Sequence, residues 1–375
     1  MQRMAMVLGL KPEKVTEYVR LHAAVWPDVL AMISACNIRN YSIYLKEPEH
    51  LLFSTFEYHG TDYAADMAKM AADPKTQEWW ANWGVTAYRS IEEATSIDGV
   101  IFDLATPPAH HAGVLRALPD GAVALIQKPM GSDLSEASEI LEICRAKKLK
   151  AAVNFQLRFA PMMLALKDAI ARSWLGDVVD FDAWLALATP WQLWEFLLKA
   201  PRVEIAMHSI HYLDLIRQLL GDPRGVHART LGHPGHKVAQ TRTSAILDYG
   251  DTVRCALSIN HDHKFGRKHQ ACEFRICGTE GAAYLKLGLN LDYPRGEPDI
   301  LEIYPKGGSD WVTVPLVGEW FPDAFVGRMA NVQRHASGED AELVSSVEDA
   351  WSTMALVEAA YQSSAAPATP IAARP

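Results

Sequence analysis

Cysteine and long apolar runs are both scarce in this chain. Five cysteines occur in 375 residues, and no two of them form a C-x-x-C pair. This odd, scattered set predicts neither a disulfide framework nor a structural zinc site. No apolar stretch approaches the roughly 20 residues needed to cross a bilayer. The opening MQRMAMVLGL runs into charged residues without a cleavage site, which is atypical of a secretory signal. We therefore expect a cytoplasmic protein with no membrane partner.

Positive charge is in deficit as well. The formal net charge is −9, so no broad basic surface is available to neutralise phosphates, and we predict no nucleic-acid partner. Hydrophobic residues make up 49% of the chain, which is ample for burial. At this length the chain exceeds the usual size of one domain. The composition favours small-molecule chemistry on a chain of two or three domains.

Residues 1–82 contain predicted strands and helices in an order that is typical of a known fold type. Strand-like runs lie at 2–10, 38–45 and 51–58, by their period and flanking turn residues. A helix of about two dozen residues is predicted after Pro12 by apolar spacing, and a second helix is predicted at 64–72. The order strand, helix, strand, strand, helix is the opening of a ferredoxin-like α+β unit.

The first predicted helix carries a hydroxyl and an imidazole on one face. Tyr18 and His22 are four residues apart, and that spacing stacks side chains on a helix. Ring opening of a reducing sugar needs proton delivery and removal near neutral pH, which suits histidine. Tyr41 on the next strand can hold sugar oxygens, and Trp79 and Trp80 can pack on sugar C–H surfaces. Taken singly, such a histidine is more often a satisfied core residue, Tyr41 is simply a good β-former, and a tryptophan pair is most often a packing feature.

Four stretches together resemble the L-rhamnose mutarotase family: MQRMAMVLGLKPEK, the set Tyr18, His22, Trp26 and Pro27, the strand NYSIYL, and DPKTQEWW. The resemblance covers residues 1–82 and implies a dimeric α+β barrel type of fold. It implies that His22 is the catalytic proton donor, that Tyr18, Tyr41, Trp79 and Trp80 bind the sugar, and that no cofactor is needed. It also implies a homo-oligomer, a dimer in that family. The family's last strand is missing after Trp80, unless Val85 to Arg89 replaces it.

From residue 83 the pattern changes. Strands alternate with helices up to residue 155, which predicts a parallel α/β layer of Rossmann type. After Pro161, helices precede several strands, which predicts an α+β domain with a largely antiparallel sheet. We therefore predict a truncated Rossmann-like segment at 83–155, a substrate and oligomerisation domain at 156–365, and a flexible tail at 366–375.

Several motifs in this region resemble the glucose-fructose oxidoreductase and inositol dehydrogenase family. They are ATPPAHH at 105–111, QKP at 127–129, NFQLRFAP at 154–161, HYLD at 211–214 and GTEG at 278–281. The resemblance implies Lys128 and His211 as a catalytic pair that polarises and deprotonates a sugar hydroxyl. It places Thr106, Pro107, His111, Lys128 and Asn154 near an NAD(P) nicotinamide. Without the family, Lys128 is a surface charge beside a proline, and His211 is a packing residue on a helix.

Two features depart from that family. The sequence contains no G-x-G-x-x-G motif, the loop that brings pyrophosphate to a helix N-terminus. Four residues before His211, where the family usually has an acid, stands Met207. We therefore expect weak NAD(P) binding or none.

Possible metal ligands lie near His211 in sequence. Glu204, His208 and His211 share one helix face, and His261 and His263 alternate further along the chain. Neighbouring carboxylates and imidazoles are commonplace on helices, and no further ligand spacing supports a site. The sequence alone predicts no metal.

Three functions remain open. The first is an isomerase that interconverts the α and β anomers of L-rhamnose or a related 6-deoxy-hexose by histidine acid/base catalysis. The second is an NAD(P)-dependent sugar or polyol dehydrogenase. The third is an inactive fusion or a sugar-binding module. In each case the partner is a small-molecule sugar.

Overall fold

The computed structural model describes residues 2–10, 12–47, 51–82, 88, 90–97, 99–191, 195–235, 237–292 and 296–372. The chain divides into two compact units, Met1–Asp98 and Gly99–Pro375. Within the described ranges, no helix combines the length and apolarity that a membrane crossing requires. The boundaries expected after residues 82, 155 and 365 stay predictions.

The first unit is built on a three-stranded antiparallel sheet in the order β1-β3-β2. Ile38, Phe56 and Tyr58 form its buried apolar cluster, against which Met67 and Met70 pack. The predicted ferredoxin-like order is confirmed. Its elements are β1 (Gln2–Gly9), α1 (Val15–His22), α2 (Pro27–Ala35), β2 (Ile38–Lys46), β3 (Leu51–Tyr58), α3 (Tyr63–Ala72), α4 (Pro74–Ala81) and α5 (Ile91–Ala94).

The first helical region is two helices, so the prediction of one continuous helix was wrong. A 3-10 turn, Pro12–Lys14, leads into α1, which ends at His22, and α2 begins at Pro27. Pro27 lacks the N–H that a continuing helix would need, and its ring pushes the preceding residue out of helical geometry. Trp26 accordingly has φ −59° and ψ 134°. The break leaves His22 in the last turn of a short helix.

Strand β1 forms one edge of this sheet. Among the described residues it pairs only with β3. The replacement strand expected at 85–89 lies outside the described residues, except for Tyr88.

The second unit opens with a parallel three-stranded sheet in the order β4-β5-β6. A continuous apolar run such as that at 100–102 is typical of a strand buried on both faces, but the first strand of this sheet is not buried in that way. Ile101 and Phe102 are only partly buried and Asp103 is exposed, because β4 pairs only with β5 within the described ranges. The truncated Rossmann-like layer consists of β4 (Ile101–Leu104), α6 (His111–Ala117), β5 (Val123–Ile126), α7 (Leu134–Ala146) and β6 (Lys150–Val153).

An eight-stranded sheet follows in the order β14-β13-β12-β11-β7-β10-β9-β8. All its pairs are antiparallel except β7 with β10, which confirms the predicted α+β domain. Its elements are α8 (Pro161–Ala171), β7 (Val178–Ala186), α9 (Ile210–Leu220), β8 (Gly225–Leu231), β9 (Arg242–Asp248), β10 (Arg254–Asn260), β11 (Ala271–Gly278), β12 (Ala282–Lys286), β13 (Ile300–Tyr304), β14 (Val312–Thr313), α10 (Asp323–Ser337) and α11 (Val347–Ala365).

The two faces of the large sheet differ. Phe181 and Phe274 point to the buried face, where the Phe274 ring lies 5.4 Å from Tyr212 of α9. Trp184 and Ile246 point to the other face and are exposed. This alternation follows from the two-residue period of a strand that has one face in the core.

Helix α11 covers the outer edge of this sheet. The Ser363 hydroxyl accepts a hydrogen bond from the Ala228 N–H, and the Ser364 hydroxyl accepts one from the Thr230 N–H, both at 2.9 Å. Both amides belong to β8, the terminal strand of the sheet. The helix therefore supplies the hydrogen-bond partners that a further strand would supply.

A buried ion-pair network joins the turn after β6 to helices α9 and α11 of the second unit. Arg158, in the 3-10 turn Gln156–Phe159, donates from Nε and Nη2 to the Asp214 carboxylate of α9 at 2.5 and 2.6 Å. Its guanidinium also lies 2.8 Å from Asp349 of α11. The Thr353 hydroxyl donates to Asp214 at 2.9 Å. Burial raises the pKa of Asp214, and the neighbouring Arg158 opposes that rise.

Removing one member of this network should destabilise the second unit. Asp214→Ala leaves the buried Arg158 short of a carboxylate, and breaking a buried pair in this way costs about 3–5 kcal/mol. Urea unfolding followed by tryptophan fluorescence measures the loss. The matched control is Asp168→Ala, because Asp168 pairs with Arg172 at the surface, where both side chains are more than half exposed. Its loss should cost about 1 kcal/mol or less, and equal effects of the two variants would show that burial of the ion pair is not what stabilises the unit.

Candidate functional site

The expected sugar pocket of the first unit is organised around His22. The rings of Tyr18 and His22 are stacked with centroids 3.9 Å apart and planes 18° apart. The edge of Trp79 packs on His22 with centroids 5.3 Å apart. The Nδ1 of His22 lies 3.1 Å from the Tyr18 carbonyl oxygen. When Nδ1 donates to that carbonyl, Nε2 is the basic nitrogen of the ring.

Partial burial sets the protonation states of this group. Burial lowers the pKa of His22 below its ordinary value of 6.5, against an opposing effect of the hydrogen bond to Tyr18. Burial raises the pKa of Tyr18 to about 12, with a further contribution from the nearby Tyr41. A neutral imidazole therefore faces phenols that keep their protons near pH 7. Such a set can accept one proton and donate another.

The other predicted sugar-binding residues differ in burial and in their contacts with the Tyr18–His22 stack. Tyr41 lies close enough to Tyr18 to raise its pKa, and its ring packs edge-on against Phe56 at 5.4 Å. Trp79 is buried, whereas Trp80, the next residue of α4, is partly buried. Trp26 was not predicted as a site residue, yet its ring lies 5.2 Å from Trp79. Its place in the family stretch was the signal that would have found it.

The second unit contains a large cleft, of about 920 Å³. It lies at the carboxyl ends of the parallel strands, which is where ligands bind in open α/β sheets. Thr106, Pro107, Lys128 and His211 line it, as the resemblance implied. Its remaining walls come from distant segments that no sequence motif connected, among them Gln156, Thr189, Trp191, Met207, His208, Asn290 and Trp320.

Lys128 and His211 share this cleft. The Lys128 ammonium donates to the Met207 carbonyl at 2.5 Å. Burial lowers the pKa of Lys128 to about 8. Burial also lowers the pKa of His211 well below its ordinary value, and the charge of Lys128 adds to that effect. The two groups implied as a catalytic pair therefore line the same cleft, and burial favours the neutral form of each more than water does.

His111 and Asn154 lie beneath the cleft. His111 is fully buried, and its Nε2 lies 2.9 Å from the Thr106 carbonyl oxygen. Asn154 is 2% exposed and donates to the Gln127 side chain at 3.0 Å. These contacts support the loops after β4 and β5. They leave His111 and Asn154 little surface for a ligand.

The residues around the cleft do not fit a complete dinucleotide. Beyond β4 no described strand extends the parallel sheet, and the chain has no glycine-rich loop that would cradle a pyrophosphate. The loop after β4 contains Pro107 and Pro108, which have no N–H to offer a phosphate. Within the described residues, no glycine-rich loop therefore presents backbone amides, the usual anchor for the cofactor phosphates, at this end of the sheet.

A polar cluster stands behind one wall of the cleft. Glu204 is fully buried and accepts hydrogen bonds from the hydroxyls of Ser209, at 2.5 Å, and Thr243. Its Oε1 lies 3.3 Å from Nε2 of His261. The rings of His208 and His261 meet with centroids 4.2 Å apart. Glu204 therefore faces His261 and does not take the place of the acid that Met207 replaces.

Comparison with known proteins agrees with both resemblances. The family model for L-rhamnose mutarotase matches residues 3–95. The L-rhamnose mutarotase of Verminephrobacter eiseniae is 36% identical over 22% of this chain and 74% of its own length. Through this region, the chain belongs to the L-rhamnose mutarotase family. The match to the mutarotase family model extends 13 residues beyond residue 82, the predicted end of the domain.

The second unit carries an oxidoreductase-like domain fused to the mutarotase domain. The model for the GFO/IDH/MocA C-terminal domain matches residues 163–284. The D-apiose dehydrogenase of Rhizobium rhizogenes is 25% identical over 70% of this chain and 76% of its own length. An NAD-binding oxidoreductase from Klebsiella pneumoniae has a TM-score of 0.64 at 18% identity, covering 78% of this chain and 86% of that one. That structural likeness shows the fold alone.

The environment of His22 in the mutarotase domain predicts a measurable titration. Since burial lowers the pKa of His22, the midpoint of its titration should lie below pH 6.5, the ordinary value for an imidazole. Proton NMR of the ring Cε1–H measures the midpoint. Trp79→Ala should move that midpoint upward, towards the ordinary value, because it removes the indole that shields the ring. A wild-type midpoint above 6.5 would contradict the expected effect of burial on this imidazole.

Proposed function

We propose that this protein interconverts the α and β anomers of L-rhamnose or a closely related 6-deoxy-hexose in its mutarotase domain. The observation that carries the proposal is the stack of Tyr18 on His22 with Trp79 packed at its edge, within a region that matches the L-rhamnose mutarotase family. The pyranose would lie against these rings, with its 6-methyl group towards the indoles.

The reaction requires one proton to leave the anomeric hydroxyl and one to reach the ring oxygen. His22 is proposed to perform both transfers. Its lowered pKa keeps the ring neutral and basic at pH 7, and after accepting the proton it can return it to the ring oxygen. Tyr18 and Tyr41 keep their own protons, since their pKa values are raised. They are proposed to hold sugar hydroxyls, while Trp79 and Trp80 form the apolar wall. No cofactor enters this scheme.

For the second unit we propose the binding of a polyhydroxy ligand in the cleft. Lys128, His211 and Asn290 offer polar atoms there, and Trp191 and Trp320 offer flat apolar walls. This combination of a few polar groups on aromatic walls is typical of small-molecule sites. Residues 156–365 would form the substrate domain, and Lys128 would reach the cleft from the Rossmann-like segment at 83–155. Because the cofactor anchor is missing, we propose no redox step.

Anomer exchange tests the isomerase proposal directly. NMR saturation transfer on equilibrated L-rhamnose should reveal faster exchange with the wild-type protein than without it. His22→Ala should reduce the protein-dependent rate by about 10²–10⁴-fold, the usual contribution of acid/base catalysis. The rate should also fall as the pH falls through the pKa of His22, because the protonated ring cannot act as the base.

The matched control is His59→Ala. It removes a surface imidazole of the same unit, whose side chain is 45% exposed, and should leave the rate unchanged. L-mannose, which carries a 6-hydroxyl in place of the methyl hydrogen, should exchange more slowly than L-rhamnose. Exchange that persists in His22→Ala with normal circular dichroism would refute the role of His22.

Cofactor binding has its own expected outcome. Titration of the full chain with NADH, followed by nicotinamide fluorescence, should give no saturable change at low micromolar concentrations, since no backbone cradle is available for the pyrophosphate. Free NADH with the unfolded chain provides the baseline. Tight binding would make the dehydrogenase the leading function.

A further inference from the structure

Three side chains of the kinds that bind metal ions converge at the wall of the cleft in the second unit. Ligand atoms of Glu204, His208 and His261 all lie within 4.8 Å of one another. Glu204 and His208 belong to the π-helical turn Glu204–Ser209, and His261 follows β10 directly. His211, which shares the helix face in sequence, is not a member of this cluster. The chain reversal after β10 brings in the third ligand, and helix spacing gave no sign of it.

We propose that Glu204, His208 and His261 bind one divalent transition-metal ion, with zinc the best match, and leave a coordination position open towards the cleft. Two imidazoles and one carboxylate are a donor set of catalytic zinc sites, in which the fourth position holds water or substrate. Magnesium and calcium prefer oxygen ligands and suit this set poorly. The expectation of no metal, drawn from the sequence, is replaced by this proposal.

The distances agree with coordination. Oε1 of Glu204 and Nε2 of His261 are 3.3 Å apart. Two ligand atoms that each lie roughly 2.1 Å from a tetrahedral ion are about 3.4 Å apart. The His208 ring, centred 4.2 Å from the His261 ring, is close enough to provide the third ligand with a small side-chain adjustment.

Surrounding hydroxyls orient the proposed ligands. The Thr189 hydroxyl lies 2.7 Å from Nδ1 of His261, which sets that ring with Nε2 towards Glu204. Ser209 and Thr243 donate to the Glu204 carboxylate. Outer partners of this kind fix the tautomer and direction of metal ligands. Glu204 and His261 are therefore held in place before any ion arrives.

One buried atom of the cluster lacks a partner. Nδ1 of His208 is inaccessible to solvent, and no described residue forms a hydrogen bond with it. Leaving a buried polar atom unpaired is costly and uncommon. Coordination of a metal ion would give a buried imidazole lone pair the partner that the described residues do not supply.

The open position defines the class of ligand. His208 lines the cleft together with Lys128 and His211. One carboxylate leaves a bound dication with a net positive charge, and Lys128 lies nearby as a further cation. An electron-rich oxygen is the complementary ligand, so we assign the position to a hydroxyl or carboxylate oxygen of a polyol or sugar acid.

Metal retention by the full chain is the test. The purified protein is stripped with a chelator, loaded with Zn²⁺, desalted and measured by mass spectrometry for metal per chain. One equivalent is expected, with a rise in the unfolding temperature of the second unit. Loading with Co²⁺ should give the intense visible bands of four-coordinate cobalt. A stripped and reloaded wild-type chain that retains no stoichiometric metal would overturn the proposal.

Two variants locate the ion. Glu204→Gln preserves the shape of the side chain, and His208→Ala removes the ligand that faces the cleft. Each should weaken metal affinity by more than about 100-fold, since even loss of an outer partner costs about 10–100-fold. The control is His227→Ala, an exposed imidazole on β8, which should retain one equivalent. Undiminished binding in both cluster variants would place the metal elsewhere. If either variant fails to fold, the wild-type cobalt spectrum decides.

Discussion

The packing of one imidazole between a phenol and an indole is the contact on which the proposed mutarotase site depends. His22 is stacked on Tyr18 and bounded by Trp79, so one ring is partly removed from water and fixed in direction. Aromatic pairs of this kind contribute about 0.5–1.5 kcal/mol beyond simple burial. The same packing that stabilises α1 against α4 also keeps the ring neutral. The same three side chains therefore pack the two helices together and form the centre of the proposed site.

Local spacing explains what the sequence could predict. The four-residue interval between Tyr18 and His22 led correctly to one helix face, and alternation located β2 and β3 within one residue at each end. The break before Pro27 was visible in the sequence and was missed, because apolar residues continue at helical spacing on both sides of it. A backbone constraint outweighed the hydrophobic pattern there.

Long-range contacts explain what the sequence could not predict. The exposure of Asp103 depends on which strands lie beside β4. The walls of the cleft come from segments as far apart as Thr106 and Trp320, and no local pattern links them. His261 joined Glu204 only because β10 runs back beside β7 and β9. Each of these outcomes is a property of topology, so no window of residues contains it.

Buried charged side chains of the second unit are stabilised in two ways, by ion pairs and by hydrogen bonds from neutral groups. Arg158 and Asp214 neutralise each other and so fasten the loop after β6 to α9. Glu204 instead relies on hydroxyl and imidazole partners. At Met207, where the family resemblance implies an acid, a backbone carbonyl accepts a hydrogen bond from the Lys128 ammonium. A neutral peptide carbonyl thus takes the place of a carboxylate as the partner of Lys128. The cleft is therefore more positively charged than it would be with an acid at that position.

Ser363 and Ser364 of α11, which bind the edge amides of β8, are synthesised long after that strand. The edge of the large sheet can therefore be completed only late in synthesis. Every strand of the large sheet precedes α11 in the chain, yet the amides of Ala228 and Thr230 find their partners on that helix. On the ribosome, the β8 border is therefore complete in sequence but open in structure until more than a hundred further residues have emerged. During that interval it is a template for pairing with another nascent chain. Docking of α11 occupies the β8 amides, so another chain can no longer pair with this edge. The last helix to be synthesised therefore completes the protection of the sheet.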